Sequence, residues 1–286
     1  MVSDVILVHL ADLHFGRDVD LDQVAAIEQF VSELRPDVVC ITGDLTQRAR
    51  HGELQRALAF TQALGKHAPV HVIPGNHDVQ WWRAILPFGR APIRYRKWRG
   101  YFGDDLVPVL STSRVVVAGL LTSFGLAWKS LTFNLRDMTV TGHLPKREVT
   151  RVKNVFAGAP PAAVRVAALH HNVLRGEISR RMGLSRWRTA QRRLLTLDAD
   201  VVLCAHDHQE GAGQIDGVLP VSTTGTHTTR TRGKRPSAFN VIHVDKQAVH
   251  IVHYRWDAAA RQFQPSTESA FGRHRRPSDD PVPVAG

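Results

Sequence analysis

Cysteine is nearly missing from this chain: Cys40 and Cys204 are the two among 286 residues. Each lies inside an apolar run, which argues against a disulfide framework and reads both as small buried hydrophobes. Long apolar runs are missing too. The first, Val5 to Leu10, is broken by His9 and followed by Asp12, too short and too polar for a signal peptide or a membrane span, so a cytosolic location is the default expectation. Acidic residues are also short, with 26 Asp and Glu against 37 Lys and Arg and a formal charge of +11. That balance favours an anionic partner, although a solvated Arg-rich surface shows the same excess. No solenoid-type repeat is found, and a 43% hydrophobic fraction supports one sizeable core.

What the chain does carry is a series of short apolar runs that each end in polar residues. Val70-His71-Val72-Ile73 stops at Pro74-Gly75 and delivers Asn76, His77 and Asp78. Proline cannot continue a central ladder and glycine accepts turn angles, so this predicts a buried strand meeting a loop. Val5 to Leu10 leads into Ala11-Asp12-Leu13-His14, where a carboxylate and an imidazole two residues apart can face one cation. Val38 to Thr42 leads into Gly43-Asp44-Leu45. Leu21, Val24, Ile27, Phe30, Val31 and Leu34 recur at helical spacing behind Asp20 or Asp22 and before Pro36, and Leu54, Ala57, Leu58, Thr61 and Leu64 repeat the pattern. Strand, helix, strand, helix, strand implies parallel strands with right-handed crossovers. Their C-terminal ends share one edge, so Asp12, His14, Asp44, Asn76 and His77 converge where α/β sheets hold ligands.

The second half repeats the device. Val164 to Leu169 ends in His170-His171-Asn172, and Val201 to Cys204 ends in Ala205-His206-Asp207-His208. Between the halves, Trp81 to Phe102 is aromatic and basic, with Arg94, Arg96 and Arg99 among its cations. It reads either as a substrate-facing lid or as a packed segment with snorkelling arginines. Val107 to Leu110 and Val115 to Leu121 predict paired strands, and Thr122 to Thr141 an irregular stretch with one further short strand. Pro145 to Phe156 and the Arg-rich Ser185 to Leu197 predict helices. Val218 to Val221, Phe239 to Val244 and Ala248 to Tyr254 alternate like antiparallel strands. The domain is expected to span residues 1–262, leaving 263–286 as a disordered tail poor in apolar residues.

Carboxylates, imidazoles and an amide without a thiolate suit divalent Mn, Fe, Zn or Co. The set is too large for one ion and about right for two sharing a carboxylate. In this order, Asp-x-His, Gly-Asp-Leu, Gly-Asn-His-Asp, a strand ending in His, and His-x-His resemble the calcineurin-like metallophosphoesterase superfamily, from about Val5 to Arg255. The residues around Asp44 and Asn76 look most like bacterial class III cyclic-nucleotide phosphodiesterases. The resemblance implies an α/β fold in which a two-sheet β-sandwich is flanked by helices, with a dinuclear metal site at the strand C-terminal ends. It implies Asp12, His14 and His208 on the first ion, Asn76, His170 and His206 on the second, and Asp44 bridging. His77 would meet the scissile phosphate, oriented by Asp78 or another carboxylate, and a metal-bridging hydroxide would attack. Two positions depart from the family: Ala205 replaces a usual glycine, adding a methyl group near the ions, and Asn172 replaces a usual proline, loosening a turn. The family pattern favours His170 over His171 as the ligand, leaving His171 with Arg94, Arg96 and Arg99 as candidate substrate contacts.

An anionic phosphoester is the expected substrate, with a cyclic nucleotide or similar phosphodiester first. A lipid-linked or sugar-nucleotide pyrophosphate would place the protein peripherally at an anionic membrane, and a nuclease would use the same basic residues on nucleic acid. The non-enzymatic alternative is an anion-binding protein on an inactive phosphoesterase fold. Every ligand position being filled speaks against it.

Overall fold

Strands that are apolar on both faces need cover on both, and this chain supplies it in four layers. The computed structural model describes residues 4–16, 19–79, 94–124, 141–227, 231 and 233–273. In chain order its first half comprises β1 (Val5–Leu10), α1 (Leu21–Leu34), β2 (Val38–Ile41), α2 (His51–Leu64), β3 (Val70–Val72), α3 (Arg96–Phe102), β4 (Val109–Ser111) and β5 (Val115–Gly119). The second comprises α4 (Lys146–Ala157), β6 (Val164–His171), α5 (Trp187–Leu194), β7 (Val201–Ala205), β8 (Gly211–Ile215), β9 (Leu219–Thr223), β10 (Ala238–Val244), β11 (Ala248–Asp257) and β12 (Gln262–Gly272).

Two six-stranded sheets result, ordered β12-β11-β10-β1-β2-β3 and β4-β5-β6-β7-β9-β8. β1, β2 and β3 run parallel, as do β5, β6, β7 and β9, while β10, β11 and β12 continue the first sheet from β1 in antiparallel pairings and β4 and β8 pair antiparallel at the edges of the second. Alternate residues divide the strands between two cores. Leu7, Val38, Cys40 and Ile73 meet Val117, Val166, Ala168 and Leu203 between the sheets. Val8, Leu10, Val39 and Ile41 face the other way onto Ile27, Val31, Leu54 and Leu64 of α1 and α2. Ala167, Leu169, Val202 and Cys204 likewise cover α4 and α5 through Val152, Phe156 and Leu194. Both cysteines are buried and unpaired, in keeping with their apolar surroundings.

At the end of the sandwich opposite the loops that carry Asp12, Asp44 and Asn76, Arg114 at the start of β5 pairs with Asp37 before β2, and Arg273 after β12 pairs with Asp200 before β7 at 2.8 Å. These pairs tie one sheet to the other.

The structure corrects the expectation of a tail beginning at residue 263. Gln262–Gly272 is β12, paired antiparallel with β11 along its length, with Phe263 inserted into the core. Composition misled because an edge strand draws its cohesion from backbone hydrogen bonds and a few inward side chains, and its outer face is free to be polar. Pro265 fits there because the register shifts at His253/Tyr254. Residues 274–286 lie outside the described set, as do 125–140, which include the short strand expected before Thr141. β8 and α3 were not separately anticipated. No helix among the described residues is long and apolar enough to cross a membrane.

Candidate metal centre

Each strand-end loop must bend its backbone sharply to aim side chains back over the sheet edge, and the cost shows in the dihedrals. Asp12, His14, Asp44, His206 and His208 all have positive φ, between 44° and 76°. L-residues seldom adopt that region unless the surroundings impose it, and such residues cluster at functional sites. Glycines make the loops' close approach feasible. A Cβ on Gly75 would lie 2.1 Å from Asp44 Oδ1, and one on Gly43, whose φ is +93°, would lie 2.6 Å from Gly75 N and 2.9 Å from His170 Nδ1.

The buried and half-buried groups form two clusters, Asp12, His14, Asp44 and His208 in one and His170, His171 and His206 in the other. Asp44 joins them, its Oδ2 lying 3.8 Å from His14 Nε2 and 3.4 Å from His170 Nε2. His14 Nε2 and His208 Nε2 are 3.0 Å apart. Two nitrogens each about 2.1 Å from one ion and at right angles around it stand at about that separation. Asn76 Oδ1 lies 2.9 Å from His170 Nε2 and 3.0 Å from His206 Nδ1. Asp12 Oδ1 is buried without a hydrogen-bond partner, while Asp12 Oδ2 accepts the His206 N–H at 3.0 Å. A buried carboxylate oxygen with no donor, facing lone-pair nitrogens, is costly unless a cation satisfies it. The donors present therefore fit a pair of divalent ions sharing Asp44.

The protein groups also set one another's charge. Burial pushes the Asp12 carboxyl up to about 6, against the pull of His208 and His170. Burial presses Asp44 the same way, but His170 and His77 outweigh it and hold that carboxyl well below the usual carboxylate range. Burial would lower His170, yet Asp44 carries it up to about 9. Burial takes His14 down to about 3 and, with His171 and His170 beside it, takes His206 well below the ordinary imidazole value. Those two rings are neutral, the form in which imidazole binds metal.

Of the two adjacent histidines, His170 directs Nδ1 to the Thr42 carbonyl at 2.8 Å and leaves Nε2 among Asp44, Asn76 and His206. A ring nitrogen held by a carbonyl fixes the tautomer of the other. His171 is turned so that Nδ1 meets Thr122 Oγ1 at 2.8 Å, with its ring 4.6 Å from that of His206. His77 stands at the rim. Its backbone N–H donates to Asp44 Oδ1 and its Nδ1 to the Gln47 carbonyl, both at 2.8 Å.

Asp78 does not orient His77 as expected. Its carboxylate accepts from the N–H groups of Gly75, Leu45 and Thr46 and from Thr46 Oγ1, clamping the Asp44 loop to the Asn76 loop. Gln47 takes the orienting role, through a backbone oxygen that no side-chain motif reveals. Asn172 does not loosen its turn either, because its Nδ2 donates to the carbonyls of Leu174 at 2.8 Å and Arg181 at 3.2 Å. Ala205 is accommodated fully buried at the end of β7. Thr226 holds the Asp12 carbonyl through Oγ1 at 2.7 Å.

The basic aromatic segment divides. Residues 80–93, including Trp81, Trp82 and Arg90, lie outside the described set. Tyr95 donates to the Ser123 carbonyl, and Trp98 packs into the core stacked on Phe102. Arg94 donates to the Phe124 carbonyl, Arg99 is half-buried and Arg96 is exposed on α3. The described aromatics serve packing, and no described contact ties Arg94, Arg96 or Arg99 to the centre.

Comparison with known proteins follows the same lines. The family model described as calcineurin-like phosphoesterase matches residues 6–210. The glycerophosphodiester phosphodiesterase GpdQ of Enterobacter lignolyticus is 30% identical over 140 residues, 43% of this chain and 50% of that protein. A transmembrane protein with metallophosphoesterase domain from Danio rerio is 35% identical over 88 residues, 28% of this chain and 19% of that protein. The chain thus spans half or less of these curated relatives. Among solved structures, a dimetal phosphatase from Danio rerio superposes with a TM-score of 0.64 at 13% identity, covering 95% of this chain and 100% of that one. A purple acid phosphatase from yellow lupin gives 0.64 at 12% identity, covering 100% of this chain and 58% of that one.

Proposed function

The chain belongs to the calcineurin-like phosphoesterase family, and from that premise we propose that it is a dinuclear metal-dependent phosphodiesterase acting on a small phosphodiester. The observation that carries the proposal is the placement of Asp44 between two donor clusters, with its Oδ2 within 3.8 Å of both His14 and His170. Asp12, His14 and His208 would hold one ion and Asn76, His170 and His206 the other. Two such ions, drawn from Mn, Fe, Zn and Co, would supply Lewis acidity toward phosphoryl oxygens and acidify a water at neutral pH.

The remaining work falls to the protein. His77 keeps Nδ1–H on the Gln47 carbonyl, so Nε2 is the nitrogen available to the leaving oxygen, to which it donates a hydrogen bond or a proton as an imidazolium. Asp78 keeps the two ligand loops at fixed separation. The Thr42 carbonyl holds His170 Nδ1–H, so Nε2 is the nitrogen turned toward Asp44 and Asn76, where an ion would displace its proton. The partial match to a glycerophosphodiester phosphodiesterase supports a diester over a monoester.

The test is hydrolysis of bis(p-nitrophenyl) phosphate against p-nitrophenyl phosphate, with metal content measured before and after chelation. Metal-dependent turnover favouring the diester is expected, and Asp44→Ala should lower it by roughly a hundredfold or more. Metal-loaded protein that cleaves neither ester, or an Asp44→Ala variant that binds and turns over like the parent, overturns the reading.

A further inference from the structure

One cleft among the described residues, about 470 Å³, has Arg235 and Arg255 on its wall paired with Glu177 and Glu210. A smaller cleft of about 170 Å³ between α4 and α5 is different. Lys146, Arg186 and Arg193 line it together with His143, Ser185 and Thr189, no carboxylate is on its wall, and among the described residues none of its three cations is in an ion pair. The nearest acid in sequence, Glu148, is engaged elsewhere, with Arg147, Arg151 and the Leu121 N–H. Arg193 is locked in place by donating to the Leu144 carbonyl at 2.6 Å, and Ser185 Oγ is buried without a hydrogen-bond partner. Three cations sharing one small concavity repel one another, and a hydroxyl donor left unmatched beside them adds to the cost.

The segment lining the cleft is hydrogen-bonded to residues beside the metal centre. α4 and α5 follow β5 and β6, so their first turns open toward the edge that carries the ligands. The segment that forms the floor begins at Gly142, where a Cβ would come within 2.4 Å of the His171 ring. His143 N–H donates to the Thr122 carbonyl, and Thr122 Oγ1 meets His171 Nδ1. Ser185 N–H in turn donates to the Gly142 carbonyl at 2.9 Å.

We propose that this cleft is a second anion site, taking a phosphate-class oxyanion through Lys146, Arg186, Arg193 and the Ser185 hydroxyl. Its source is either a second phosphoryl group on the substrate, a refinement that rests on the phosphodiesterase reading, or free phosphate. One oxyanion neutralises the repulsion among the three cations and gives Ser185 Oγ–H an acceptor. The volume accommodates a single tetrahedral anion.

The test has two arms. Crystals of the metal-loaded protein soaked in tungstate should show anomalous density in the cleft, and Lys146→Gln/Arg186→Gln, which changes two exposed side chains, should lose it while melting at the parent temperature. In solution, thymidine 5′-(p-nitrophenyl phosphate) is compared with the same ester bearing a 3′-phosphate. If the site serves the substrate, the double variant raises KM for the 3′-phosphorylated ester by roughly three- to tenfold and leaves the plain ester unchanged. Loss of density with no difference between the esters assigns the site to free phosphate. Tungstate that fills the metal centre but never the cleft, or that persists in the cleft of the double variant, overturns the proposal. If the parent hydrolyses neither ester, the phosphodiesterase reading falls, and the tungstate arm still decides the cleft.

Discussion

His77 and Asn76 are neighbours in sequence with separate tasks, and single substitutions should separate them. Asn76 Oδ1 lies within 3.0 Å of both His170 and His206, in the middle of one donor cluster. His77 reaches that arrangement through its backbone N–H on Asp44, and its ring, anchored on the Gln47 carbonyl, meets the His14 ring edge-on with centroids 4.8 Å apart. His77→Ala should therefore lower kcat by roughly 100- to 1000-fold with metal content unchanged, whereas Asn76→Ala should lose metal first. Elemental analysis and turnover on the same preparations read both. A residue away from the centre contributes to acid sensitivity. His9 is buried between Ser222 Oγ and Thr42 Oγ1, both at 2.9 Å, and burial, assisted by His227, lowers its pKa from 6.5 to about 3. Its native ring stays neutral where the unfolded chain takes up a proton, so its stabilisation is complete above pH 6.5 and is lost as pH falls toward 3. His9→Gln, which can keep both hydrogen bonds, should flatten the fall of the urea midpoint between pH 6.5 and 4; an unchanged slope would remove His9 from the account.

At the scale of elements, β12 illustrates how a polar segment becomes part of the core. Phe263 is 7% exposed and packs with Phe239 and Trp256, while Arg273 just beyond the strand anchors on Asp200 of the other sheet. Phe263→Ala should cost about 3 kcal/mol in denaturant unfolding. A chain truncated after residue 262 should lose more, since it also strips the hydrogen-bonded edge from β11. A truncation that melts with the parent would return residues 263–272 to the status of a tail.

On the scale of the whole molecule, the centre is where two sheets meet. Asp12 and Asp44 come from the sheet of β1 and β2, and His170, His206 and His208 from the sheet of β6 and β7. Ions held by both sheets bind the folded state alone and should raise its stability by linkage. Chelation should accordingly lower the melting temperature by roughly 5 °C or more together with activity, and re-addition of metal should restore both. Loss of activity with no thermal shift would mean that the ligands do not bridge the sheets.

The polar residues gathered at the strand ends, the parallel strands that present them and the helices behind those strands were legible from residue order, because buried parallel strands write themselves as apolar runs and their C-terminal ends must share an edge. Gly75 was legible as a turn residue, though not as the position where a Cβ would fall 2.1 Å from Asp44 Oδ1. Other features depended on atoms brought together from distant parts of the chain. The Gln47 carbonyl on His77, the Asp78 clamp and the Thr42 carbonyl on His170 are made wholly or partly by the backbone, whose donors and acceptors are identical at every position and so leave no mark in a motif. The polar edge strand β12 and the unpaired cations between α4 and α5 belong to the same class. Sequence order establishes which groups can reach the sheet edge; packing establishes which atoms of those groups face one another, and therefore which bind, which orient and which only hold the loops apart.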